Sequence, residues 1–222
     1  MNEMERWRKS PLCFVEECIK VTPTKQQSEL LQSITKEKYI TIRSGHGTGK
    51  DGCLSWLVLW FFMTQSGRVL VVGPTKGLLH IILAEMSKWL KQSTIPDDFL
   101  VCNRERLKLI STLKEVKIEV KDTSKTLILV NESSSVLDSI LTLLEEFSKY
   151  STSKFILVGC MPNNFNYFYN THFSALSTWK KLQWDSSKTS LVSKSVIKAF
   201  AEKYGINSDF YRVRIEGNCA NN

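Results

Sequence analysis

Residues 39–51 read Tyr-Ile-Thr-Ile-Arg-Ser-Gly-His-Gly-Thr-Gly-Lys-Asp. Tyr39 to Arg43 is a short β-type run. Ser44 to Gly49 carries three glycines at alternate positions. Lys50 opens a helical stretch whose core, Leu54 to Thr64, is apolar nearly all round and therefore buried. Strand, glycine-rich turn, lysine and helix together make a phosphate cradle. The glycines let backbone N–H groups turn inward around phosphate oxygens, and the lysine reaches the terminal phosphates. Gly45, His46, Gly47, Thr48, Gly49, Lys50 and Asp51 are the candidate ligand contacts. A glycine-rich turn that binds nothing is the competing reading, and alternating glycines ending in Gly-Lys speak against it. Two positions depart from G-x-x-x-x-G-K-[ST]. Ser44 holds the first glycine place, and Asp51 holds the place of the hydroxyl that touches magnesium. A carboxylate beside phosphates is repulsive unless a metal lies between them. It could also ligate magnesium itself.

Outward from this stretch, buried strands alternate with helices. Arg68-Val-Leu-Val-Val72, Thr126-Leu-Ile-Leu-Val130 and Phe155-Ile-Leu-Val158 are continuous apolar runs, and Lys180 to Trp184 is a further strand. Helices are expected up to Trp89, over 136–147 and over 193–204. Residues 1–35 read as helical, with Pro23 as a break and Thr24 as the cap of a second helix through Leu30, Leu31 and Ile34. Val116 to Val120 alternates like a half-exposed strand within an ambiguous region, 98–121. Phe165 to Phe173 reads as an aromatic loop, and Tyr211 to Ile215 as the last ordered piece. Apolar strands separated by helices predict a mainly parallel sheet covered on both faces. Ligands then sit at the carboxyl ends of the strands, on loops 44–51, 73–77, 131–135 and 159–166.

Composition narrows the classes. The chain has 222 residues, 42% hydrophobic and 23% charged, which excludes a disordered or fibrous chain. Its net charge of +8, from 30 Lys+Arg against 22 Asp+Glu, fits a polyanionic partner or simply solvated lysines. Six cysteines without a C-x-x-C pair, and three scattered histidines, give no structural zinc pattern. The cysteines read as reduced thiols of a cytoplasmic protein. The N-terminus lacks an apolar signal segment, and Leu54 to Met63 is too short to span a bilayer, so no membrane is expected.

Thr126-Leu-Ile-Leu-Val-Asn131-Glu132 has the form of an acidic site after an apolar strand. Such sites place an Asp to orient magnesium and a following Glu to polarise the attacking water. Here Asn131 replaces the Asp. One loop has gained a carboxylate, Asp51, and the other has lost one. Either Asp51 partly takes over the metal role, with Asp51 and Asn131 as the metal positions, or the pocket has decayed.

The ordered motifs resemble the ATPase domain of tailed-phage terminase large subunits, the motors that package DNA. Val21-Thr-Pro-Thr-Lys-Gln-Gln27 is similar to the family's adenine-reading motif. Ile42 to Lys50 is close to its phosphate loop, and Val72-Gly-Pro-Thr75 to its Ala-Pro-Thr motif. Leu129-Val-Asn-Glu-Ser-Ser-Ser-Val136 parallels Val-Asp-Glu-Ala-x-x-Val. Val158 to Asn163, with Tyr167-Phe-Tyr169, resembles the coupling motif, and Lys203 to Gly217 looks like the segment that closes the domain. The resemblance covers roughly 14–217. It implies a RecA-like P-loop fold over 1–217, with a helical lead-in at 1–37 and a tail at 218–222. Full-length members continue into an RNase H-like nuclease, and with the sequence stopping at Asn222 no nuclease domain is expected here. The resemblance implies ATP and Mg2+ as cofactors, Lys50 on the phosphates, Glu132 as the catalytic carboxylate, Gln27 on adenine and Arg43 as an arginine sensor. Arg43 reads equally as a strand-end salt bridge. Double-stranded DNA, a small terminase subunit, a portal and a homo-oligomeric ring are the implied partners, in a bacterial host cytoplasm. Asp51, Asn131 and Cys160-Met161 depart from the family pattern at magnesium, water activation and coupling. An ATP-hydrolysing translocation motor and a non-hydrolysing module that binds nucleotide, DNA or terminase partners both stand.

Two features remain outside these motifs. The aromatics of 165–169 either stack on single-stranded bases or pack internally. Lys180, Lys181, Lys188, Lys194 and Lys198 either track a phosphate backbone or form a solvated face.

Overall fold

Each apolar run pairs on both sides, which leaves its residues no solvent-facing edge. In a computed structural model, described over residues 2–96, 98–112, 125–149, 152–162 and 165–221, six strands form one sheet. They are β1 (Tyr39–Ser44), β2 (Arg68–Gly73), β3 (Leu107–Ser111), β4 (Thr126–Asn131), β5 (Ser153–Gly159) and β6 (Lys180–Trp184). The spatial order is β3-β2-β4-β5-β1-β6, and every pairing is parallel. All six residues of β4 are buried, as a central strand requires.

Ten α-helices complete the described chain: α1 (Glu3–Lys9), α2 (Pro11–Phe14), α3 (Lys25–Ser33), α4 (Lys50–Thr64), α5 (Lys76–Gln92), α6 (Phe99–Cys102), α7 (Asp138–Lys149), α8 (Tyr167–Phe173), α9 (Lys194–Tyr204) and α10 (Asp209–Arg214). A π-turn over Val15–Ile19 continues α2. Helix α4 is buried almost throughout, from Gly52 to Phe62, because it lies between the sheet and the N-terminal helices. The Trp60 indole donates to Trp7 O at 2.8 Å, tying α4 to α1. The second core, on the other face, joins Val72, Val130 and Phe155 to Leu141 and Leu144 of α7 and Phe168 of α8. Thr24 caps α3 in a reciprocal box: its hydroxyl accepts from Gln27 N–H, and the Gln27 carbonyl accepts from Thr24 N–H.

Three expectations need amending. Phe165–Phe173 is not a loop: 167–173 is helical, started by the Asn166 side chain, which accepts from Tyr169 N–H. The ambiguous 98–121 region contains strand β3, paired with β2, whose mixed exposure hides it from the apolar pattern. Tyr211–Ile215, read as the last ordered piece, is the end of helix α10 with Ile215 as its C-cap, and the described chain continues to residue 221. The predicted strand 116–120 and the motif residue Asn163 lie outside the described residues. All six cysteines are free, and among the described residues no helix is long and apolar enough to cross a membrane.

Candidate functional site

The loop after β1 and the loop after β4 face each other at the carboxyl end of the sheet. Strand β5 lies between β1 and β4, so Glu132 must cross over it to approach Lys50. Gly159, at the end of β5, permits the crossing: a Cβ there would lie 2.9 Å from Ser133 N and 3.2 Å from Glu132 Cα. The buried Ser133 hydroxyl fastens the crossing. It donates toward Val130 O and Val158 O and accepts from Val158 N–H, joining the ends of β4 and β5. Glu132 itself holds a left-handed backbone (φ 52°, ψ 50°), which is uncommon for a residue with a Cβ and concentrates at functional sites.

The result is an ion pair, Lys50 Nζ to Glu132 Oε1 at 3.0 Å, with both side chains largely buried. Burial works against the Lys50 charge. The facing Glu132 carboxylate, with smaller contributions from Cys160 and Asp51, outweighs it and raises the lysine pKa. One residue along each loop sits a second pair. Asn131 Nδ2 donates to Asp51 Oδ1 at 2.7 Å, and Asn131 Oδ1 accepts from Glu132 N–H at 3.1 Å. Asn131 is fully buried, and its amide is engaged at both ends.

The glycine-rich loop is held from two sides. Gly49 is left-handed (φ 76°), and no side chain caps the helix α4 that follows, so the first-turn N–H groups of α4 open onto the loop. A Cβ at Gly49 would lie 2.5 Å from the Gln27 amide. Gln27 is buried, and its Nε2 donates to Gly49 O at 3.3 Å and Thr48 O at 3.4 Å. The buried Thr48 hydroxyl bonds to that of Ser44 at 2.7 Å. On the other side, Gly45 N–H donates to Trp184 O and His46 N–H to Arg214 O, at 2.8 and 2.7 Å. The exposed His46 ring lies 2.6 Å from Arg214 Nη1. Partial desolvation by the surrounding loop, then the Arg214 and Lys50 charges, hold the His46 pKa below its ordinary value.

The structure therefore gathers Lys50, Asp51, Asn131 and Glu132 with residues 45–49, and places Gln27 behind the loop. Arg43 joins none of these by hydrogen bond. Its guanidinium donates to Asn218 Oδ1 at 2.6 Å and Gln183 Oε1 at 2.8 Å. Arg214 is invisible to motif reading, because nothing local to residue 214 signals proximity to His46.

The same arrangement of sheet and helices occurs in solved structures. The isolated ATPase domain of the Thermus phage P74-26 large terminase matches 90% of this chain and 95% of its own, at 12% identity and TM-score 0.61. The fold is that of a large-terminase ATPase domain. The HK97 bacteriophage large terminase matches 98% of this chain and 56% of its own, at 12% identity and TM-score 0.69. A large terminase from a thermophilic bacteriophage, in complex with ATP-gamma-S, matches 88% of this chain and 52% of its own, at 13% identity and TM-score 0.62. In sequence, the chain is 22% identical over 224 residues to the probable terminase large subunit of Enterobacteria phage P7, covering 88% of this chain and 45% of that protein. It thus spans about half the length of the curated relative it matches. No protein-family model matches the chain.

Proposed function

We propose that residues 1–217 form the ATPase unit of a large terminase, binding ATP on loop 44–51 and hydrolysing it to move double-stranded DNA. The observation that carries this reading is the Lys50–Glu132 pair, set at 3.0 Å across an intervening strand beside the phosphate loop. Incoming phosphates offer Lys50 a stronger anionic partner. Glu132, released, accepts a hydrogen bond from the attacking water and orients it. Gln27, which the resemblance makes the adenine reader, holds the loop through Thr48 O and Gly49 O. A small subunit, a portal and a ring of copies in the host cytoplasm belong to the same reading.

Magnesium is the part that fits least. Asn131 spends its amide N–H on Asp51, and its carbonyl accepts from Glu132 N–H, so it has one carbonyl lone pair and no charge to offer a metal. Among the described residues no cluster of three or more His, Cys, Asp or Glu could hold a metal ion. Asp51 alone keeps a carboxylate oxygen outside that bond. The Asp51–Asn131 bond also supports the second reading, nucleotide binding without turnover.

ATP binding by calorimetry and phosphate release, measured with magnesium and with or without double-stranded DNA, separate the two. The motor reading expects hydrolysis that falls about 100-fold or more in Glu132→Gln. Binding without hydrolysis, restored by Asp51→Thr with Asn131→Asp, establishes the second reading. Absence of binding overturns both.

A further inference from the structure

Beside the phosphate loop, on the opposite side of β1, lies a second polar cavity of about 250 Å³, lined by Arg43, His172, Phe173, Lys181, Leu182 and Gln183. Its construction follows from the strand pleat. Thr41 and Arg43 of β1, and Lys181 and Gln183 of β6, alternate onto the sheet face that α8 covers, while Leu182 and Trp184 point into the α4-side core. A hydroxyl contact between Thr41 and Thr171, at 2.7 Å, docks α8 on this face. His172 is thereby buried to 6% exposure, and its Nε2 has no hydrogen-bond partner among the described residues. An unpartnered buried polar atom is uncommon enough to require a reason.

The electrostatics of the cavity are one-sided. Arg43 bonds only to the neutral side chains of Asn218 and Gln183 among the described residues, and its guanidinium lies 5.3 Å from the Phe173 ring. Among the described residues, no carboxylate forms a salt bridge with Arg43 or Lys181. Among the described residues, no carboxylate lines the cavity. We propose that this cavity is a second oxyanion site, which takes a phosphate group between the Arg43 guanidinium, the Lys181 ammonium and the His172 Nε2.

Arg43 of β1, Lys181 of β6 and His172 of α8 all line the cavity, and donors from three elements suit a tetrahedral anion with several acceptor oxygens. The guanidinium has five N–H groups, and two bonds leave donors to spare. Burial, followed by the Arg43 and Lys181 charges, pushes the His172 pKa down to about 3, so the imidazole is neutral and can present Nε2–H to an anion without a charge of its own. A metal cation or an ammonium would meet two positive charges there. The site does not depend on the ATPase reading, since none of its three donors contacts Lys50, Asp51, Asn131 or Glu132 by hydrogen bond.

The three histidines are separate reporters: His46 on the phosphate loop, His172 in the cavity and His80 on α5 as a bystander. Imidazole resonances are followed by NMR while inorganic phosphate, or separately a short DNA duplex, is added to the full chain. The same titrations are run on Lys181→Glu and on Lys50→Met. Saturable movement of His172 that persists in Lys50→Met, and weakens about tenfold or more in Lys181→Glu while His46 still responds, is expected. Lys181 is exposed, and Lys181→Gln provides a milder loss should the charge reversal perturb folding. Response to inorganic phosphate assigns the site to free phosphate, and response to the duplex alone assigns it to a nucleic-acid backbone. A His172 that stays still with both probes, that moves only when His46 moves, or that ignores both Lys181 substitutions overturns the proposal.

Discussion

The two polar pockets flanking β1 solve the same problem in opposite ways. At the phosphate loop, each charge has an answering group: Glu132 for Lys50 at 3.0 Å, and the Asn131 amide for Asp51 at 2.7 Å. In the neighbouring cavity, Arg43 and Lys181 have no carboxylate partner among the described residues, and the imidazole beside them is kept neutral. A self-satisfied pocket is stable when empty, and a ligand must outcompete internal partners to enter. A pocket with uncompensated positive charge carries its cost until an anion arrives.

The contrast breaks most visibly at Lys50. Lys50→Met removes the cation that both Glu132 and a phosphate would use. ATP affinity is expected to fall by about 100-fold, from roughly 1.5–3 kcal/mol per charged hydrogen bond, read by calorimetry. An unchanged dissociation constant would show that the loop is not the nucleotide site.

Asn131→Asp tests whether the second pair depends on its neutral partner. Two carboxylates would then share the position of one 2.7 Å hydrogen bond. The expected loss is about 1–3 kcal/mol in urea unfolding. Magnesium should recover part of it in the variant and leave the parent chain unmoved. Equal stability of the two chains without magnesium would mean that the Asn131 amide contributes nothing.

The smallest effect belongs to the cavity. Folded His172 stays unprotonated down to about pH 3, whereas an unfolded histidine titrates near its ordinary value of 6.5. Between these values the unfolded chain binds the additional proton. The contribution of His172 to stability is therefore intact above pH 6.5 and is lost as pH falls toward 3, with a slope of at most about 1.4 kcal/mol per pH unit. His172→Phe removes this slope, so urea midpoints at about pH 7.5 and about pH 5 should lie closer together in the variant. Parallel profiles would show that the ring is not held neutral.

The strands β1, β2, β4, β5 and β6, and the helices that follow the glycine loop and Thr24, are legible because apolar runs and capping residues act over a few neighbours. Strand β3 is not, since Leu107 to Ser111 is only partly covered at the edge of the sheet. Helix α8 is hidden by its aromatics, whose pattern resembles a loop until the Asn166 cap is considered. Lys50, Asp51, Asn131 and Glu132 stand out through their place in short motifs. Arg214 beside His46 and the unpartnered His172 have no local signature.

The parallel α/β layering, the glycine-rich loop and the motif positions of Lys50, Asp51, Asn131 and Glu132 can be read from the sequence, because period, glycine placement and motif spacing are local properties of the chain. Tertiary structure alone decided that β5 separates β1 from β4, that Glu132 reaches Lys50 over Gly159, and that Arg43 turns away from the loop toward His172 and Lys181. These depend on strand order and on which face of the pleat each side chain occupies once distant segments pair. Such relations arise from packing between residues far apart in sequence, and no short stretch of the chain encodes them alone.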